Sequence, residues 1–425
     1  MGKITNIIFD FDGTLVNTTP LILATMKATV AEMKLPERTD TEYKATIGLR
    51  LEEIPTVLWP GNIDALENYA TTYRRIFDML KRPLGVESYS GVEMMLKTLH
   101  ECGYRMAIAS SRSHHSIREY VEQIGISDYF SMLVGGDDIV KGKPAPDPVI
   151  RILDGCGWKA TETITVGDAP VDIMMWKAAD TATCAVTYGN GKRCELNSAM
   201  PTYIVDSFDT LFPIVKGVAP EIIDYVETEI IPQYDRFDKA HGRSHVRMVI
   251  SQSLSLFENL PELDIDMIYC IAAFHDLGLC NGRENHHVDS GKILESDAFI
   301  RRYFREDDIE TMKEAVEDHR ASGKTVPRSI YVKIVADADR FIDAETIVRR
   351  TIQYGLSNYP ALDKEGHYQR MLSHLKEKYG PAGYLRVWLP WSGNADRLKR
   401  LHALIAGEDA LTVLFNRIFE EETAE

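Results

Sequence analysis

A chain of 425 residues, 44% of them hydrophobic, has ample material for buried cores, and its length predicts two or three domains. Its 48 basic residues stand against 64 acidic ones, a net charge of −16, which excludes a broad footprint on a nucleic-acid polymer or an anionic membrane surface and points to small-molecule partners. The six cysteines, at 102, 156, 184, 194, 270 and 280, form no CxxC pair, so neither a zinc knuckle nor a dithiol redox motif is expected.

In chain order, apolar strand-like runs ending in polar residues are predicted at 5–9, 105–109, 132–134, 163–166, 183–187 and 202–205, with helical patterns between most of them. This alternation predicts an α/β fold with a doubly wound parallel sheet, whose ligands collect at the carboxyl ends of the strands. Residues 17–87, with "LILATMKATVAEMKL" and "IDALENYATTYRRIFDMLKR", read as a helical insertion over that end. After "VKGVAPEI" the strand signal stops and helical patterns run on, which predicts domains at 1–215 and 220–425, the second all-helical. The start of the chain carries no signal-peptide pattern and no uncharged apolar run reaches transmembrane length, so a soluble cytoplasmic protein is expected.

The first strand runs into "DFDGT". Alternate residues of a strand face the same side, so Asp10 and Asp12 can present two carboxylates to one small site, which calls for a cation. Further strand ends supply Ser110 in "AIASSR" and Asp168 in "TITVGDAPVDI", with Asp172 four residues later, and a proline-rich loop supplies Lys143 in "KGKPAPDP". These four motifs, in this order, resemble those of the haloacid-dehalogenase-like (HAD) phosphatase superfamily over roughly residues 4–212, with a helical cap at about 17–87. "SYSGVEMMLKTLHECGYRMAIASSR" further resembles the phosphoglycolate-phosphatase-like branch. The resemblance implies a magnesium-dependent phosphomonoesterase. Asp10 would attack phosphorus, Asp12 would protonate the leaving oxygen and then deprotonate water, and Ser110 and Lys143 would hold the phosphoryl group. Asp10, Asp168 and the backbone carbonyl of Asp12 would hold the metal, with Asp172 in support.

In the second half, His245 in "GRSHVRMVI", His275-Asp276 in "YCIAAFHDLGL" and the acids of "KIVADADRFIDAE" give an H…HD…D order that resembles the HD-domain metal-dependent phosphohydrolases. The family pattern favours Asp339 over Asp337 as the last ligand. It also places a second metal on the histidines of "GRENHHVDSG" and "EDHRASG", with His287 matching better than His286, and with His319 following. The mixed nitrogen and oxygen donors suit manganese, iron, cobalt, nickel or zinc better than magnesium.

His114-His115 is expected at a helix start without carboxylate partners at metal spacing, "GYLRVWLPW" in core packing, and Arg74 and Arg75 on a solvated cap face within reach of an anionic substrate. The expectation is therefore a two-centre phosphohydrolase. Its first centre would take a small phosphorylated metabolite or nucleotide monoester, and its second a nucleotide or phosphodiester. The alternative is one catalytic centre, with the HD half a regulatory nucleotide-binding or oligomerisation module; the oligomeric state is left open.

Overall fold

In a computed structural model of the chain, residues 3–85, 87–238, 241–319, 327–340 and 342–423 are described. They form two compact units, residues 1–217 and 218–425. Among the described residues no helix is long and apolar enough to cross a membrane.

The first unit is built on six parallel strands: β1 (Asn6–Phe9), β2 (Arg105–Ala109), β3 (Phe130–Val134), β4 (Thr163–Gly167), β5 (Ala182–Val186) and β6 (Tyr203–Val205), in the order β3-β2-β1-β4-β5-β6. All four residues of β1 are buried, as the central position of a sheet covered on both faces requires. Within this unit Ile8, Ala107, Val134, Ile152, Ile173 and Trp176 belong to one core cluster. The strand order reverses beside β1, between its neighbours β2 and β4, so the residues leaving β1, β2 and β4 meet at the switch point where doubly wound sheets bind ligands.

Between β1 and β2 lies the helical insertion, made of Thr19–Glu32, Asp40–Lys44, Ile54–Leu58 and Ile63–Leu84. The long helix begins where Asn62 accepts from the Ala65 amide and ends at Gly85, whose φ is 64°. Tyr69, Tyr73 and Phe77 recur every four residues, so their rings fall on one helix face and pack in a buried row with centroids 6.0 and 5.9 Å apart.

The second unit contains no strand among its described residues. The helix Ile265–Phe274 is buried at every position from Met267 to Phe274, the mark of a helix packed on all sides. It starts where Asp264 accepts from the amides of Asp266 and Met267, and it delivers His275 and Asp276 at its C-terminal end. Further on, Leu385 and Leu389 of "GYLRVWLPW" are buried as expected of core, whereas Tyr384 and Trp391 are exposed. That segment is tied down by Asp337, which accepts from the amides of Trp388 at 2.9 Å and Leu389 at 2.8 Å and from Ser392 Oγ at 3.4 Å.

Asp337→Ala leaves one buried and one half-buried amide without their acceptor, and a loss of about 3 kcal/mol from the second unit is expected. Hydrogen exchange at Trp388 and Leu389 should accelerate far more than at β1, and unchanged exchange at those two amides would contradict the anchoring role.

Candidate active sites

Asp10 follows β1 directly, its amide donating to Val166 O at 2.8 Å, and Ser110 follows β2 in the same way, its amide donating to Val134 O at 3.0 Å. Asp168 follows β4, and Asp172 lies in the first turn of the helix Pro170–Ala178, where it accepts from the Ala169 amide at 3.0 Å. Carboxylate oxygens of Asp10, Asp168 and Asp172 all lie within 4.8 Å of one another, and all three residues are buried. Between them stands Lys143, itself buried, paired with Asp10 and with Asp172, the latter at 2.6 Å.

Burial lifts the Asp10 carboxyl well above the usual carboxylate range, Lys143 opposes the shift, and Asp172 and Asp168 add to it. Burial followed by the repulsion of Asp172 pushes Asp168 up to about 7. For Lys143 burial disfavours the charge, but Asp10 and Asp172 outweigh it and raise its pKa. Three buried carboxylates against one ammonium leave an excess of negative charge lined entirely by oxygen, a donor set that fits magnesium.

Gly13 explains the "DGT" turn. Its φ is 89°, and a Cβ there would meet Asp168 Oδ2 at 2.2 Å and Asn190 Nδ2 at 2.3 Å, so only glycine lets the backbone after Asp12 pass this close. Asn190 holds Asp168 in place through its amide at 2.6 Å and Nδ2 at 3.1 Å, and Thr14 Oγ1 donates to the other Asp168 oxygen at 3.2 Å.

Asp12 lies elsewhere. Its side chain is outside the carboxylate cluster, where it accepts from Thr18 Oγ1 at 2.6 Å and from Arg112 through Nη2 at 2.6 Å and Nε at 3.1 Å. Its carboxylate is therefore not one of the clustered oxygen donors. Sequence reasoning passed over Arg112. Its signal lay two residues beyond Ser110, but its partner is 100 residues away and was not readable from spacing.

Asp10, Asp12, Ser110 and Arg112 line a cavity of about 800 Å³ whose other wall is the helical insertion, including Arg50 and Phe77. The insertion is fastened over it by Arg50, which donates to Gly136 O and Val140 O at 3.0 Å each, and by Gly48 O, which accepts from Ser111 Oγ at 2.6 Å. Arg74 also lines the cavity and is paired with Glu52 at 2.5 Å, while Arg75 pairs with Glu32. His114 does begin a helix, His114–Gln123, and its Nδ1 lies 2.7 Å from a carboxylate oxygen of Asp138.

In the second unit six side chains converge from five segments. His245 Nε2 is 3.3 Å from His275 Nε2 and 3.2 Å from Asp339 Oδ1, and these three form one group of possible metal ligands. Asp276, His286 and His319 form another. Asp276 joins the groups: its Oδ2 is 3.5 Å from His245 and 3.4 Å from His275, and its Oδ1 is 3.5 Å from His286 and 3.8 Å from His319. His275, His286 and His319 each place Nδ1 against the carbonyl three residues earlier, Ala272, Arg283 and Val316, at 2.8, 2.9 and 2.6 Å. That bond puts the proton on Nδ1 and turns the Nε2 lone pair toward the cluster, the tautomer that metal ligation requires.

Burial disfavours charge on His245, but Asp276 and Asp339 raise it to about 9, whereas burial and the neighbouring His275 lower His319 to about 4. Burial works against the Asp276 and Asp339 carboxylates too, yet the surrounding imidazoles hold both well below the usual range. Four imidazole nitrogens and two ionised carboxylates fit divalent first-row transition metals.

His287, favoured by the family pattern, lies in neither group, while His286 does. The two stand at the start of the helix His286–Ser296, where one residue is about 100° of rotation, so only one can face Asp276. Asp337 is the anchor described above, and Asp339, last residue of Ile330–Asp339, is the one in the cluster.

Residues 7–186 match the family described as haloacid dehalogenase-like hydrolase, and residues 242–343 match the HD domain. A pyrophosphatase PpaX of Halalkalibacterium halodurans is 30% identical over 213 residues, which are 50% of this chain and 97% of that protein. The chain belongs to the haloacid dehalogenase-like hydrolases. A phosphoglycolate phosphatase of Pectobacterium atrosepticum is 26% identical over 51% of this chain and 94% of its own length. A solved hydrolase of the haloacid dehalogenase-like family from Streptococcus pneumoniae superposes on 49% of this chain and 96% of its own with a TM-score of 0.44 at 21% identity. The protein is a hydrolase acting on phosphate esters, with an HAD-like unit followed by an HD domain.

Elemental analysis of protein loaded with manganese should find less metal in His286→Ala than in His287→Ala, the latter retaining the wild-type content. Equal loss in both variants would remove the distinction drawn from helix phase.

Proposed function

We propose that the HAD-like unit is a phosphomonoesterase that works through an aspartyl-phosphate. The observation that carries the reading is the buried pairing of Lys143 with both Asp10 and Asp172 at the switch point of the sheet. A phosphate monoester is a poor electrophile toward a carboxylate until its charge is neutralised, and Lys143 supplies fixed positive charge beside Asp10. Asp10 attacks phosphorus, and the leaving oxygen takes the bond pair and a proton from Asp12. Asp12 then takes the proton of the water that cleaves the aspartyl-phosphate, which restores both residues. Ser110, at the end of β2, hydrogen-bonds a phosphoryl oxygen. Magnesium would be held by Asp10, Asp168 and the Asp12 carbonyl, with Asp172 in support, and when bound it adds a second centre of positive charge.

For the HD unit we propose hydrolysis of a nucleotide or phosphodiester with a divalent transition metal, manganese, iron, cobalt or nickel, held by His245, His275, Asp276 and Asp339 and joined by a second through His286 and His319. The bridging position of Asp276 between the two ligand groups supports this reading. When bound, such metals supply Lewis acidity and lower the pKa of water. The substrates of the two units are small phosphorylated metabolites. The names of the relatives, pyrophosphatase and phosphoglycolate phosphatase, favour compact phosphoryl compounds for the first.

Asp10→Asn should lower phosphomonoester turnover by about 10³-fold or more while the fold survives, because the nucleophile is lost without a change of volume. Acid-quenched wild type should yield a trapped phosphoryl group on the peptide containing Asp10. Ordinary turnover by the variant, with the second unit disabled, would refute the nucleophile assignment. Changing His275 and Asp276 together to Ala should remove the tightly held transition metal and spare magnesium-dependent turnover, because the two units have separate cores. Loss of both activities at once would contradict two independent centres.

A further inference from the structure

Arg112 lines the cavity, and the phosphatase roles assign it nothing. Its side chain is 9% exposed, and its guanidinium carbon lies 5.8, 5.1 and 5.1 Å from the ring centroids of Phe11, Phe77 and Tyr120. Nη1 donates to Ser116 Oγ at 3.0 Å, and Nη2 and Nε close on the two oxygens of Asp12. A planar fork of this kind fits any carboxylate or phosphoryl group, and it fits whichever one reaches it.

The two Asp12 oxygens are held unequally. Oδ1 receives Thr18 as well as Arg112, whereas Oδ2 accepts from Arg112 Nε. While the fork is on Asp12, Oδ1 takes two donors and Oδ2 takes Nε, so a leaving group meets a carboxylate already engaged by the guanidinium. Once it is withdrawn, Oδ2 is released and Thr18 still orients the carboxylate through Oδ1. Asp12 and Arg112 line the same cavity as Asp10 and Ser110, so a substrate anion can reach the fork without leaving the reaction site.

We propose that Arg112 is a specificity-determining residue: it takes a second anionic group, carboxylate or phosphoryl, on the leaving-group side of the phosphate ester, and by that exchange frees Asp12 Oδ2 to take up a proton from water and pass it to the leaving oxygen. The proposal rests on the roles of Asp10 and Asp12 given above. One anion replaces another in the fork, so the buried guanidinium never loses its partner, which would be costly. An ester of an uncharged alcohol offers nothing in exchange and leaves Asp12 held. The unit thereby selects against neutral leaving groups through the state of Asp12 and not through cavity size.

The test uses the full chain and three probes: phosphoglycolate, whose alcohol carries a carboxylate; pyrophosphate, whose leaving group carries a phosphoryl; and ethyl phosphate, whose alcohol is neutral. In calorimetry on Asp10→Asn protein, adding Arg112→Met should weaken phosphoglycolate or pyrophosphate by about 10-fold or more, the worth of one charged hydrogen bond, and narrow its advantage over ethyl phosphate by the same factor. The probe that loses affinity identifies the anion the fork reads. With Asp10 intact, Arg112→Met should lower kcat/KM for that probe and raise kcat for ethyl phosphate, opposite changes that a loosened fold cannot produce. Arg112→Lys keeps the charge without the fork and should show the same binding loss, so it carries the binding arm if Arg112→Met does not fold. Equal weakening of all three probes, or none, overturns the proposal. Inactivity of the wild type toward every probe would instead count against the Asp10 assignment, and the binding arm would still decide the role of Arg112.

Discussion

Carboxylates buried within reach of one another are tolerable only where positive charge is brought to them, and both units of this protein are arranged around that constraint. In the HAD-like unit the charge comes from a single ammonium. Lys143 reaches Asp10 and Asp172 from a loop, and all three are nearly inaccessible to water. Removing either side of such an arrangement leaves an uncompensated buried charge, which costs far more than the pair itself contributes. The surrounding sheet exists to hold these groups at the ends of β1 and β4, and the close passage at Gly13 and the Asn190 contacts to Asp168 follow from the same crowding.

The HD unit meets the constraint with imidazoles. A lysine there would fix one positive charge permanently. Histidines instead present neutral lone pairs once Nδ1–H has been donated to a backbone carbonyl, as at His275, His286 and His319. The positive charge is then supplied by whatever cation those lone pairs gather, and Asp276 is placed to share it between two ligand groups. The helix Ile265–Phe274, buried from Met267 onward, makes this expensive polar cluster possible, because its apolar surface anchors the HD dipeptide in the core.

Much of this was legible in the sequence because it depends on local periodicity. Six apolar runs gave six strands within a residue or two at each end, and the helical stretches on either side of β2 and after residue 217 were readable from the change of period. What was not legible is what depends on angle or on distance along the chain. His286 and His287 differ only in helix phase, and a sequence pattern does not set the phase of a helix start. In "DAD" the two acids are chemically alike. Asp339 was picked by family pattern, and what separates it physically from Asp337 is a loop some 50 residues further on whose amides occupy Asp337. The Arg112–Asp12 pair joins residues 100 apart, and neither residue type nor spacing announces it.

The donor chemistry divides the two centres more firmly than their folds do. The first cluster offers carboxylate oxygen alone, hard donors that a small, strongly hydrated ion tolerates without surrendering all its water. The second offers four imidazole nitrogens beside two carboxylates, a set on which first-row transition ions outcompete magnesium by the ordinary order of affinities. The difference between the two clusters comes from the ligand atoms themselves, oxygen alone in one and nitrogen with oxygen in the other.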